Sequence, residues 1–279
     1  MKLNLQQVTS YLSVFILQYL YVLIGFVFFF YSEYGLVPRT TDMKFNIKNG
    51  SIAKAHVADE VVSGVECLSI AFLLPTVVII VHCLVGRISK KRLSVSEAGD
   101  KKGNSYMLSR LSFIPPQLHV LQLSLLCLGL ILTVNGTITN ILKLSIGNAR
   151  PDFLDRCQPD IPAEMKDQEW FTLDICKQAN HDFLYEGLKS TPSGHSSFIS
   201  CSMAYLFWWQ TYFLSTSKSK HFWCLLLAAV VIVSRLTDHR HHWYDLLFGT
   251  VVGLASFFFA RTLIFDNKKV DQLLPTTKN

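Results

Sequence analysis

YLSVFILQYLYVLIGFVFFFY, residues 11–31, decides the fold. No charge interrupts it, and a helix that crosses a bilayer needs roughly 20 mainly apolar residues. It is too long for the core of a signal peptide and lacks a small-residue cleavage pattern, so it reads as an uncleaved first span. Comparable blocks follow at 61–86, 118–141, 196–214, 222–235 and 244–265. The composition agrees. The 279 residues are 50% hydrophobic, 13% aromatic and only 16% charged, whereas soluble domains carry nearer a quarter charged residues. The expectation is an all-α polytopic membrane protein, one domain over 1–279 with six transmembrane helices.

The net charge is +6. Nucleic-acid binding does not account for it, because the basic residues sit in loops between apolar blocks. Arg87, Lys90, Lys91, Arg92, Lys101, Lys102 and Arg110 fall in loop 87–115, Lys218 and Lys220 join spans four and five, and Lys268 and Lys269 lie in tail 266–279. By the positive-inside rule these segments are cytosolic, with both termini. Loop 87–115 is polar and rich in Gly, Ser and Lys, which suits a flexible segment. Segment 32–60, loop 143–191 and the turn DHRHHWYD at 238–245 then face a lumen or the cell exterior. Asn49-Gly50-Ser51 is a glycosylation sequon on that side; a second, at Asn135, lies inside span three. Of the seven cysteines, Cys67, Cys83, Cys127, Cys201 and Cys224 fall in apolar blocks. Cys157 and Cys176 share loop 143–191, where an oxidising lumen would let them pair. No CxxC pair or Cys/His zinc spacing occurs.

Three motifs fall at the outer boundaries. In Lys143-Leu-Ser-Ile-Gly-Asn-Ala-Arg150-Pro151 two cations stand seven residues apart. On a helix they would share a face, and Pro151 would help stop it. Such a pair suits an anion with several oxygens; it also suits interfacial anchoring. Thr191-Pro192-Ser193-Gly194-His195-Ser196 precedes span four. Free N–H groups at a helix start can hold phosphate oxygens, Ser193 can add a hydroxyl, and Gly194 permits close approach. An ordinary helix cap with an incidental histidine would look the same. In Ser234-Arg235-Leu-Thr-Asp-His-Arg-His241-His242-Trp-Tyr-Asp245, His241 and Asp245 are spaced i, i+4. A carboxylate on one imidazole nitrogen fixes the tautomer and frees the other nitrogen, and Arg235 adds a planar donor fork. His239 and His242 have no carboxylate at i+4. Glu66, near the outer end of span two, reads as a capped or interfacial acid rather than part of an ion pathway.

The order K-x6-RP, PSGH, SR-x5-H-x3-D resembles the phosphatidic acid phosphatase type 2 (PAP2) superfamily, and all three signatures are complete. The six spans resemble its membrane branch, most of all the fungal lipid phosphate and diacylglycerol pyrophosphate phosphatases. The resemblance implies a PAP2/haloperoxidase-like helical core. It implies His241 as the nucleophile that becomes a phosphohistidine, Asp245 as its orienting acid and His195 as general acid and base. Lys143, Arg150, Arg235, Ser193 and Gly194 would hold the phosphate. It further implies a lipid phosphate substrate (phosphatidate, lysophosphatidate or diacylglycerol pyrophosphate) and no metal or other cofactor. A Golgi, vacuolar or other secretory membrane follows from the fungal likeness. Polyprenyl pyrophosphate and sphingoid-base phosphate phosphatases would use the same groups. A silent scaffold would be expected to lack motif residues, and a transporter to carry polar residues within several spans.

Overall fold

The structure, a computed structural model, describes residues 5–265 except 14, 41–42, 90–114, 166 and 215. Most of loop 87–115 and all of tail 266–279 therefore lie outside the described residues. The first apolar block is two helices, α1 (Leu5–Ser13) and α2 (Ile16–Tyr34). The break falls at Phe15, whose ring is buried against Tyr11 and His119. Then come α3 (Gly64–Leu84), α4 (Pro116–Ile146), the short α5 (Phe153–Cys157) and α6 (His181–Glu186), and α7 (Gly194–Phe213), α8 (Trp223–Thr237) and α9 (Trp243–Phe265). Glu66 closes a capping box on Ser63 at the start of α3, which satisfies the orphan N–H groups there.

Among the described residues, five helices are long and apolar enough to cross a membrane: Ile16–Tyr34, Gly64–Leu84, Gln117–Ile146, Lys218–Thr237 and Trp243–Phe265. The fourth block of the sequence reading, 196–214, now α7, has 20 residues but is not one of them. Its position explains why. It packs against α3, α4, α8 and α9, so most of its surface meets protein instead of lipid. Small polar side chains suffice there, because carbonyls of the helix satisfy most of them. Ser197 and Ser200 donate to carbonyls one turn back, at Gly194 and Ser196. Gly249 and Gly253 of α9 let the two helices nearly touch: a Cβ on Gly249 would strike the Ser193 carbonyl, and one on Gly253 the Ser197 carbonyl. Lower down, the fully buried Trp209 donates to Ser124 Oγ at 2.7 Å and Tyr205 to the Ser124 carbonyl at 2.8 Å. By contrast Leu17, Ile24 and Val27 of α2 and Leu226, Val230 and Val233 of α8 are exposed, the apolar belt expected toward acyl chains.

The three segments assigned to the outer side pack together over one end of the bundle. Phe45–Asn46 (β1) pairs antiparallel with Trp170–Phe171 (β2), Phe45 opposite Phe171. Phe45, Ile52, Ala149, Phe153, Phe171, Leu184 and Leu188 form a separate small core. Cys157 and Cys176 are joined by a disulfide across this cap. Asn49 is exposed and caps the turn Gly50–Ile52. Asn135 is fully buried and donates to Ser197 Oγ, out of reach of a glycosylating enzyme.

Candidate active site

A cleft of about 310 Å³ opens where the cap meets the bundle. Lys143, Arg150, Gly194, His195, Arg235 and His241 all line it, so all three motifs converge. Ser193 and Asp245 do not line it; both are fully buried behind it. Phe29, Tyr34, Val65, Leu68 and Phe198 make its apolar side, between α2, α3 and α7.

Lys143 and Arg150 meet by a different route from the one the spacing suggested. The helix ends at Gly147, not at Pro151. Gly147 takes the left-handed conformation (φ +62°), and its amide bonds the Lys143 carbonyl. A Cβ there would also strike the Arg39 carbonyl. Arg150 thus lies beyond the helix and shares no face with Lys143; the turn brings it back. Arg150 N–H donates to the Gly187 carbonyl at 2.7 Å, while Ser190 N–H donates to the Asn148 carbonyl at 3.1 Å. These bonds tie stretches 148–150 and 187–190 together beside the cleft.

Ser193 is the N-cap of α7, and its hydroxyl accepts from Ser196 N–H at 3.3 Å. It sets the helix start instead of walling the cleft. Gly194 passes under Lys143, whose Nζ would lie 3.1 Å from a Cβ placed there. His195 follows, with Nε2 3.1 Å from the Val62 carbonyl and 3.3 Å from Arg235 Nη1. The carbonyl only accepts and the guanidinium only donates, so Nε2 bonds the carbonyl when it carries a proton and the guanidinium when it does not.

His241 is 4% exposed. Its Nδ1 donates to the Ser190 carbonyl at 2.7 Å, which leaves Nε2 with its lone pair. Asp245 Oδ2 is 4.0 Å from that Nδ1, too far for a hydrogen bond. The expected direct His241–Asp245 contact is therefore replaced by a relay. Asp245 accepts from Ser190 Oγ at 2.6 Å, from Thr191 Oγ1, and from His242 N–H at 2.8 Å. Its own carbonyl accepts from Ser193 N–H at 3.1 Å. The acid holds the segment whose carbonyl holds the histidine. His242 also has a partner the i+4 rule overlooked: its Nδ1 is 3.2 Å from Asp245 Oδ2. His239 stands apart with φ +53° and bonds the Ala55 carbonyl at 3.0 Å.

Burial lowers the His241 pKa well below the ordinary value, helped by the charges of Arg150, Lys143 and His195; the Ser190 bond counters only part of this. His241 is thus held neutral among cations. Two acids that no motif announced balance those cations. Glu186 accepts from Arg150 at 3.2 Å and pairs with Lys189 at 2.7 Å. Burial pushes the Glu186 carboxyl up, but Arg150, Lys143 and Lys189 prevail and hold it at about 2. Glu60, just before α3, accepts from Arg235 at 2.6 Å and Arg240 at 2.9 Å. Burial raises it too, and the Arg235 bond and the Arg240 charge bring it below the usual carboxylate range. A sequence signal existed for Glu60 alone: an acid at an outer span boundary, where motif cations also end. Glu186 falls in loop 143–191 at no informative spacing.

The arrangement suits a tetrahedral oxyanion. Four cationic side chains line the cleft beside an imidazole with one free nitrogen and a second imidazole, His195, whose Nε2 can take or give a proton. Among the described residues, no three His, Cys, Asp or Glu side chains gather as metal ligands.

A sequence profile of the PAP2 superfamily matches residues 124–269, which include all three motifs. Lipid phosphate phosphatase 1 of Saccharomyces cerevisiae is 39% identical over 269 residues, 96% of this chain and 94% of that protein. Diacylglycerol pyrophosphate phosphatase 1 of the same yeast is 35% identical over 190 residues, 59% of this chain and 65% of that protein. Phospholipid phosphatase 1 of Rattus norvegicus is 31% identical over 130 residues, 43% of this chain and 45% of that protein. No solved structure matches.

Proposed function

Because the chain belongs to the PAP2 superfamily, we propose that it is an integral-membrane lipid phosphate phosphatase that works through a phosphohistidine without a metal. The observation that carries the mechanism is His241, buried among cations with Nδ1 tied to the Ser190 carbonyl. Its Nε2 attacks phosphorus as the bond to the leaving oxygen breaks, and His195 protonates that oxygen. His195 then takes a proton from the water that cleaves the phosphorus–nitrogen bond and releases phosphate. One group serves both proton transfers, as a two-step displacement requires. Asp245 acts through Ser190 and Thr191 to keep His241 in the attacking tautomer. Lys143, Arg150, Arg235 and the Gly194 and His195 amides hold the equatorial oxygens and stabilise charge in the transition state.

The substrate class is phosphatidate, lysophosphatidate and diacylglycerol pyrophosphate. The yeast relatives' names support it, and so does an apolar wall beside the phosphate pocket. The chain crosses the membrane six times, with α7 as the central span and both termini cytosolic. The cap faces an endomembrane lumen, Golgi or vacuole, or the exterior; a disulfide and an exposed sequon on the cap support that side. The test is phosphate release from defined lipids by purified protein in detergent. Wild-type turnover persists in excess EDTA and His241→Ala abolishes it. Complete loss in EDTA would end the metal-free account, and turnover by His241→Ala the nucleophile assignment.

A further inference from the structure

The scheme above leaves one pair of cleft residues without a task. Glu60 bridges two guanidiniums: Oε2 accepts from Arg235 Nη1 at 2.6 Å, and Oε1 lies 2.9 Å from Arg240 Nη2. Two planar donor forks converging on one carboxylate is also how arginines hold a phosphate. Arg240 occupies an unspecified position of the SR-x5-H stretch. It lines the cleft, is 8% exposed, and its Nε is buried with no hydrogen-bond partner. Its remaining contacts are the Val57 carbonyl at 3.0 Å and Asp152 at 3.7 Å.

The pair also has a definite side. Arg235 Nη1 touches Glu60 and lies 3.3 Å from His195 Nε2. His195 serves the leaving oxygen, so the leaving group departs on the side where Glu60 and Arg240 stand. An alcohol leaving group carries no charge and gives Arg240 no reason to release Glu60. A leaving group that is itself a phosphate brings two or more anionic oxygens, which compete with the carboxylate for the same donors.

We propose that Arg240 and Glu60 form a leaving-group subsite for a second phosphate, selective for diphosphate monoesters; this rests on the phosphatase reading above. The terminal phosphorus bonds to His241 Nε2 as its bond to the bridging oxygen breaks. The bridging oxygen leaves with the electron pair, takes the His195 proton and stays on the remaining lipid phosphomonoester. Arg240 receives that phosphate in place of Glu60. Water and His195 then release inorganic phosphate from His241. Glu60 is the internal competitor: it neutralises Arg240 when no second phosphate is present and penalises one that arrives.

The full-length protein is assayed in mixed micelles with diacylglycerol pyrophosphate and phosphatidate of matched acyl chains. The readout is the ratio of their kcat/KM values. Arg240→Gln lowers the ratio about tenfold or more, the factor expected for one charge-assisted contact to phosphate. Arg240→Lys keeps the charge and recovers part of the ratio, whereas Glu60→Gln raises it about threefold or more by weakening the competitor. Equal losses on both substrates in Arg240→Gln, or an unchanged ratio in Glu60→Gln, would overturn the subsite. If Arg240→Gln does not fold, Glu60→Gln decides alone. Wild-type protein that cleaves phosphatidate but not the diphosphate overturns the subsite and leaves the phosphatase reading standing. Wild-type protein that cleaves neither sinks that reading instead.

Discussion

At His241 the proposed chemistry depends on a neutral imidazole kept neutral by its surroundings. Burial and the positive charges of Arg150 and Lys143 lower its pKa, so its neutral form survives as pH falls through the ordinary histidine value of about 6.5. The acid limb of kcat/KM that belongs to this group therefore lies below about 6.5. Arg150→Gln removes one lowering charge and moves that limb toward higher pH, alongside weaker binding. A limb that stays put or moves down would contradict the assignment. The same depression links to folding. The unfolded chain takes up this proton more readily, so stability is lost as pH drops below the unfolded value. Asp245→Asn tests the relay: it weakens the grip on Ser190 and Thr191, and its loss falls on kcat rather than KM. His239→Ala, remote from Asp245, keeps most activity. His242→Ala loses more than His239→Ala, because His242 bonds the same carboxylate. His241, His195 and the motif cations were legible because side chains with special chemistry announce themselves. The Ser190 carbonyl was not, since every residue has one and only the fold says which lies 2.7 Å from an imidazole.

At the scale of helices, α7 shows where hydropathy stops being informative. A central helix meets protein on most sides, so its sequence is free to use Ser196, Ser197, Ser200 and Ser202, all of them buried. The periodicity of an interior element records its neighbours, not the lipid. What the sequence did carry was the spacing Gly249-x-x-x-Gly253, the pattern of close helix approach. Gly253→Leu forces α9 off α7 and costs about 1–3 kcal/mol in overpacking, read as a lower thermal midpoint in detergent. It also displaces Asp245, two turns back on α9, and so lowers turnover. Gly249→Ala acts in the same sense through the Ser193 carbonyl. A variant with unchanged midpoint and turnover would show that the glycines are incidental. The end of α4 is the other boundary the sequence misplaced. Pro151 looked like the stop, but a left-handed Gly147 ends the helix earlier, and that early exit makes Lys143 and Arg150 meet.

As a whole molecule, the protein is a bundle with its candidate site at one end and a stapled cap above it. Removing the Cys157–Cys176 bond, which spans 19 residues, costs about 3 kcal/mol by loop-closure entropy. Cys157→Ser with Cys176→Ser therefore lowers the thermal midpoint and loosens the ties at Arg150 and Ser190. A midpoint unmoved by the double change or by reductant would show that the cap holds without it. The sidedness is checked separately. A mobility shift removed by deglycosylation and absent in Asn49→Gln places the cap in the lumen, and labelling of a cysteine at position 49 from the cytosol would reverse the topology.

The helix α2 has one further consequence. It packs chiefly on α4, most of its surface is exposed, and yet Phe29 and Tyr34 form part of the cleft wall. Gly129 and Gly136 of α4 let it seat closely, and Asn140 anchors it by donating to Ser32 Oγ at 2.9 Å. A gatepost held mainly by one neighbour takes its posture in part from whatever presses on its open flank. Micelle, nanodisc and native bilayer press differently. Ranking of long-chain against short-chain substrates thus belongs to the host amphiphile as well as the polypeptide, while cleavage of a short soluble phosphate ester stays the same in all three.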